Sequence, residues 1–254
     1  MSSDVELTIL EHLDELRKRM IKVALVLVLA TALSVVFTKQ ALEILVLPLG
    51  EQVPQAIHPT ETFMVYFRIA LIGGVALAMP MIIYQAVRYI LPGLLPQERK
   101  YLYFLLPGAT ICFAGGIAFA AFVMLPVAVN FLQGFLADTV ENRWTLDKYT
   151  SFVTRMLFWM GIVFQTPLLM FFLAKLNIVS SQKLARFRKY AVLVIAVIAA
   201  VVTPTPDPIN MMIVMVPLYL LYEVGILLAR IAVRGREVQA EEAASEEDIP
   251  EPAS

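Results

Sequence analysis

Five polar side chains stand out because they fall in or beside long apolar runs: Glu15, Glu98, Gln165, Asp207 and Glu223. Glu15 precedes Arg19 by four residues, the spacing of a helical ion pair worth about 0.3–0.5 kcal/mol. Glu98 sits beside Arg99 in LPGLLPQERKY and reads most simply as a solvated loop charge. Gln165 lies within an apolar run, where an amide needs partners, either as glue between helices or as a functional contact. Asp207, in TPTPDP, fits the cap of a following helix. Glu223 precedes Arg230 by seven residues, roughly on one helical face, and suits a structural ion pair or helix–helix contact.

Other chemistry is poorly provided for. His12 and His58 are the only histidines and lie on different segments, so no histidine-based metal site is expected. Cys112 is the only cysteine, so the chain forms no internal disulfide. The sequence contains no G-x-x-x-x-G-K-[ST], G-x-G-x-x-G, H-E-x-x-H or G-x-S-x-G. The expectation is a protein that is not an enzyme, with no cofactor, no metal and no nucleic-acid partner.

Composition explains the setting of these groups. The 254 residues are 59% apolar and 16% charged, with a mean hydropathy of +0.76, against a charged share of about 25% in soluble domains. This is a polytopic membrane protein. The formal charge of −1 conceals an asymmetry: seven of the 21 acids lie in residues 237–254, leaving 20 bases against 14 acids elsewhere. Residues 1–236 read as one all-α membrane domain and 237–254 as a disordered acidic tail.

Six apolar spans are expected, at 23–38, 69–87, 102–129, 156–174, 190–202 and 209–229. Before the first, residues 7–22 read as an amphipathic helix lying on the membrane surface, with Ile9, Leu13, Leu16 and Met20 as its apolar stripe and Thr8 and Glu11 as a capping box. Ala30-Thr31-Ala32 matches a small-residue cleavage pattern, but the apolar run continues past it and the helix is expected to be retained. The fifth span has 13 uncharged residues, about 20 Å of helix against ~30 Å of hydrocarbon. Either the bilayer thins there, or neighbours and snorkelling flanks cover the deficit. Pro80, Pro107, Pro126, Pro167 and Pro217 fall within four spans and imply kinked helices enclosing a concave face.

With both termini in the cytoplasm, fifteen lysines and arginines fall on the inner side and five on the outer, a positive-inside bias that agrees with an even number of spans. The first outer loop, 39–62, is partly apolar and is expected to fold onto the membrane surface as a cap. The third, TPTPDP, forces a tight hairpin between the last two spans.

Six motifs together resemble the TatC family, the receptor subunit of the twin-arginine protein translocase: HLDELRKR at 12–19, LPL around Pro48, PMIIYQ at 80–85, YILPGLLPQERK at 89–100, TPTPD at 203–207 and PLYLLYE at 217–223. The resemblance implies a six-span receptor in the cytoplasmic membrane of a prokaryote. It would bind twin-arginine signal peptides of folded cargo, work with single-span TatA and TatB-type subunits, and self-associate in the receptor complex. Glu15 and Glu98 match the family's signal-binding acids, and Leu16, Arg17, Arg19 and Pro48 match other functional positions. Tyr89 stands where the family often has phenylalanine, which keeps an aromatic packing role. Gln165 replaces a glutamate common in the fourth span, and Asp207 matches an outer acid; with Glu223 and Pro48 these are expected partner or functional contacts. The rival reading is a small-solute or ion secondary transporter. It is disfavoured because no internal repeat is visible and mid-span charges are nearly absent.

Overall fold

The computed structural model describes residues 9–90, 100–135, 139, 143–176, 178–203 and 208–247; the side chains of 9–10, 90, 100–105, 209–210 and 233–247 are not described. The described residues are helical, with one isolated bridge between Gln55 and Thr145. The elements are α1 (Ile9–Val46), α2 (Glu61–Ile90), α3 (Lys100–Phe119), α4 (Leu125–Gly134), α5 (Leu146–Val163), α6 (Thr166–Lys175), α7 (Ser181–Arg186), α8 (Arg188–Val202) and α9 (Pro208–Glu247). They form two compact units, Met1–Ile162 and Val163–Ser254.

In the first unit, α1 and α2 form an antiparallel hairpin. Successive contacts rise along one helix as they fall along the other: His12 with Tyr89, Arg19 with Gln85, Thr31 with Gly74, Ser34 with Gly73, Val35 with Tyr66. Glycines permit the approach. A Cβ on Gly74 would lie 2.6 Å from Thr31 Cα and 2.8 Å from its nitrogen, so only glycine lets these backbones meet, as small residues do where lipid supplies no hydrophobic drive. The opposite face of α1, with Leu25, Val28, Leu33 and Val36, is exposed, as a lipid-facing surface should be.

α1 corrects the surface-helix expectation. It runs 38 residues without interruption, about 57 Å, so 9–22 and the first span are one helix; Thr8 of the expected capping box lies outside the described residues. Leu13 and Met20 of the apolar stripe are 55% and 62% exposed, as a membrane-facing stripe is, while His12 and Arg19 face α2. In lipid an apolar residue gains little by turning inward, so the polar residues do so instead.

The outer cap is held by polar clasps. After α1 a 3-10 turn, Leu47–Leu49, buries Leu49 and ends at Gly50 with φ 64°, a value suited to glycine. The buried Glu61 carboxylate accepts the backbone N–H of Ile57 (2.8 Å), His58 (3.2 Å) and Asp147 (2.5 Å). Arg68 donates to Asp147 Oδ1 at 2.9 Å and Ser151 at 2.5 Å, and the buried Tyr149 hydroxyl donates to Leu45 O. The loop between α1 and α2 is thus tied to the start of α5, as a cap over this end of the unit.

Five stretches are long and apolar enough to cross a membrane: Glu11–Leu49, Glu61–Tyr89, Leu106–Gly134, Leu146–Lys175 and Met211–Ala232. α8 has only 15 residues, about 22 Å, and is the expected short element. Two of the five prolines follow interruptions: Pro126 after a π-helical segment, Ala120–Met124, and Pro167 after the break between α5 and α6. α2, α3 and α9 run through Pro80, Pro107 and Pro217. α9 is helical to Glu247, into the stretch composition assigned to a disordered tail. Its AEEAASEE segment is rich in strong helix formers and reaches no proline until Pro250.

Gly74→Ala is predicted to push α1 from α2 and to cost about 1–3 kcal/mol, the usual penalty for overpacking, read as a lowered thermal midpoint of the purified chain in detergent.

Candidate functional site

The polar face of α1 meets the last turns of α2 in one cluster. Arg19 is its centre: Nε donates to Glu15 Oε1 at 3.1 Å, Nη2 contacts the same oxygen, and Nη1 donates to Gln85 Oε1 at 3.2 Å. The Arg19 side chain is only 14% exposed and that of Glu15 27%. Among the described residues no donor reaches Glu15 Oε2. One carboxylate oxygen therefore holds the protein's own guanidinium and the other is open. Beside it the rings of His12 and Tyr89 stack at 4.3 Å. Leu16 is half-buried and Arg17 exposed. The helical spacing of 12, 15, 16 and 19 on α1, and of 85 and 89 on α2, puts these side chains on facing stripes.

Glu15, Leu16, Arg19 and Tyr89 are thus brought together, and Arg17 is nearby on the exposed side. Glu98 and Asp207 lie outside the described residues. Pro48 is not in the cluster. It sits in the turn after α1, 33 residues on from Glu15 and so about 50 Å away at 1.5 Å per residue. Gln85 and His12 belong to the cluster but were not singled out from sequence. Gln85 stands four residues before Tyr89 in the PMIIYQ motif, a spacing that could have identified it.

The second unit holds Gln165 and Glu223. Gln165 lies in the break between α5 and α6, where its carbonyl accepts Leu169 N at 2.9 Å and Thr166 Oγ1 bonds back to Val163 O at 2.6 Å. Gln165 makes a further interaction beyond these. Glu223 pairs with Arg188 of α8: Nη2 donates to Oε2 at 2.9 Å and Nε lies 2.8 Å from Oε1. Among the described residues the ion pair of Glu223 crosses to α8 and is a helix–helix contact, whereas Arg230, two turns or about 10 Å further along the same helix, forms none with it. Hydrogen bonding to Glu223 raises the Arg188 pKa above its ordinary value, so this guanidinium stays charged. Among the described residues no group of histidine, cysteine or acidic side chains could hold a metal ion.

These features define a multi-span helical membrane protein with a polar seam at one end of its first hairpin. Residues 11–217 match the family model of the Sec-independent protein translocase protein TatC. The chain belongs to the TatC family and is a component of that translocase. It is 38% identical over 229 residues to TatC of Carboxydothermus hydrogenoformans, covering 89% of this chain and 94% of that one. It is 32% identical to the chloroplast TATC of Pisum sativum, covering 92% and 67%. A crystal structure of the twin-arginine translocase receptor TatC superposes with a TM-score of 0.74 at 34% identity, covering 88% of this chain and all of that one (100%).

Gln85→Leu should leave Arg19 with Glu15 alone and loosen the α1 end of the hairpin. A lost hydrogen bond to a charged group costs about 1.5–3 kcal/mol, so amide protection over 12–19 in hydrogen exchange should fall at least tenfold, with α8 and α9 unchanged.

Proposed function

We propose that the seam around Glu15, with Glu98 of the following loop, recognises the paired arginines of a signal peptide. The observation that carries this reading is the half-buried carboxylate with one engaged and one open oxygen. A guanidinium presents a planar fork that suits such an oxygen, whereas lysine keeps the charge and loses the fork. Glu98 comes nine residues after Tyr89 and two before α3 begins at Lys100, so a short loop tethers it to the seam. Arg19 has Gln85 as a second acceptor, which lets Glu15 accept a guest without leaving Arg19 bare. Leu16, Arg17 and Tyr89 form the flanks that meet the peptide's other residues.

In this reading α8 is a sixth, short span, and both termini face the cytoplasm of a prokaryotic cell; the positive-inside bias supports that orientation. The receptor binds folded cargo through the signal peptide and nucleates a complex with TatA and TatB-type subunits and with further copies of itself. Pro48, Gln165, Asp207 and Glu223 are its candidate partner contacts.

Glu15→Ala and Glu98→Ala should each reduce photocrosslinking of a twin-arginine signal peptide by tenfold or more, at about 1.5–3 kcal/mol per charge-assisted contact, while the chain remains folded. Undiminished crosslinking in both variants would remove the assignment. In direct competition, a peptide with two lysines should bind more weakly than one with two arginines; equal affinities would contradict the fork argument.

A further inference from the structure

We propose that the groove bounded by α6, α7, α8 and α9 binds a phospholipid with an anionic headgroup. The groove encloses about 550 Å³, within the ~300–1,000 Å³ of ligand pockets. One wall is a single face of α8, on which Phe187, Tyr190, Val194 and Ile198 recur at three- and four-residue spacing. From Phe187 to Ile198 that face is about 16 Å long, half the ~30 Å hydrocarbon thickness, and so the depth of one leaflet. The facing wall includes Met170 and Leu218. Hydroxyls along it are already engaged: Thr166 donates to Val163 O at 2.6 Å and Tyr222 to Leu184 O at 2.8 Å. The wall facing α8 therefore presents an acyl chain with largely apolar surface.

The mouth is different. Lys183 is the one charged residue lining the groove. Arg186 follows it by one helical turn, and Lys189 Nζ lies 4.9 Å from the ring of Tyr190, itself a lining residue. All three cations are exposed, and among the described residues none forms an ion pair. Arg188, between them, is taken up by Glu223. Lys183 in the groove lining, with the exposed Arg186 and Lys189 beside it and no ion pair to any of the three among the described residues, sets positive charge next to an apolar channel one leaflet deep and so complements an anionic headgroup and its chain. A zwitterionic lipid or an apolar partner helix would fill the channel and leave the charges unanswered. This inference does not rest on the signal-peptide reading, and either can fail alone.

Native mass spectrometry of the full-length chain in detergent tests it, with phosphatidylglycerol, with phosphatidylcholine of the same acyl chains, and with inorganic phosphate as competitor. Phosphatidylglycerol should bind at least fivefold more tightly than phosphatidylcholine. Lys183→Gln combined with Lys189→Gln should lower its affinity tenfold or more, at about fivefold per basic residue near an anionic surface, and leave phosphatidylcholine unaffected. Ile198→Trp, which fills the channel, should reduce retention of both lipids; Lys148→Gln, an exposed lysine in the first unit, should change neither. Because the two mouth lysines are exposed, their substitution leaves the core intact. Equal retention of the two lipids would overturn the proposal. So would undiminished phosphatidylglycerol binding in the double variant, or its displacement by millimolar phosphate.

Discussion

The cluster at the start of α1 depends on a carboxylate satisfied on one side only. A half-buried charge is best paired, and pairing both oxygens of Glu15 within the protein would leave no acceptor for the guest of the function proposed above. Arg19 resolves this by bonding one oxygen and dividing its remaining donors with Gln85. That division requires Gln85 to sit opposite Arg19, which the antiparallel register of α1 and α2 fixes. The register in turn rests on Gly73 and Gly74 admitting Ser34 and Thr31. At the other end, the Glu61 and Arg68 clasps hold the outer loop to α5. The small-residue contact in the middle of the hairpin and the clasps at its far end thus stabilise the polar seam at its near end.

The second unit uses polar groups in another way. Glu223 and Arg188 form an ion pair with one hydrogen bond, from Nη2 to Oε2, and this pair joins the short α8 to α9 near one end of α8. The same arrangement removes Arg188 from the surrounding basic residues and leaves Lys183, Arg186 and Lys189 without an ion pair among the described residues. One salt bridge therefore has a structural effect on α8 and α9 and an electrostatic effect on the groove beside them.

Much of this was legible in the sequence. Apolar runs bounded by charges gave the long helices, and the interval between Lys189 and Thr203 marked α8 as short. Periodicity gave the stripe but not which face packs on protein: Leu13 and Met20 are exposed, as the membrane-facing stripe of a surface helix would be, and a lipid-facing side chain is no less apolar than a buried one. For Glu223 an ion pair or a helix–helix contact was legible, but not that Arg188 would supply it, because spacing along one helix says nothing about a neighbouring helix. The break at Gln165 follows from Pro167 two residues on, although an isolated amide in an apolar run could equally have been glue. Gln85 escaped notice because a glutamine near a helix end is ordinary until Arg19 is seen facing it. The helix past Arg236 shows composition and propensity in conflict, with net charge favouring disorder and alanine and glutamate favouring helix.

The most direct measurement is a double-mutant cycle between the chain and its peptide, combining Glu15→Gln in the receptor with replacement of one arginine of the pair by glutamine. Affinities would be read by calorimetry on the purified chain in detergent. The account predicts a coupling of at least about 1 kcal/mol between the two changes. Strictly additive losses would mean that the open oxygen of Glu15 does not receive the guest.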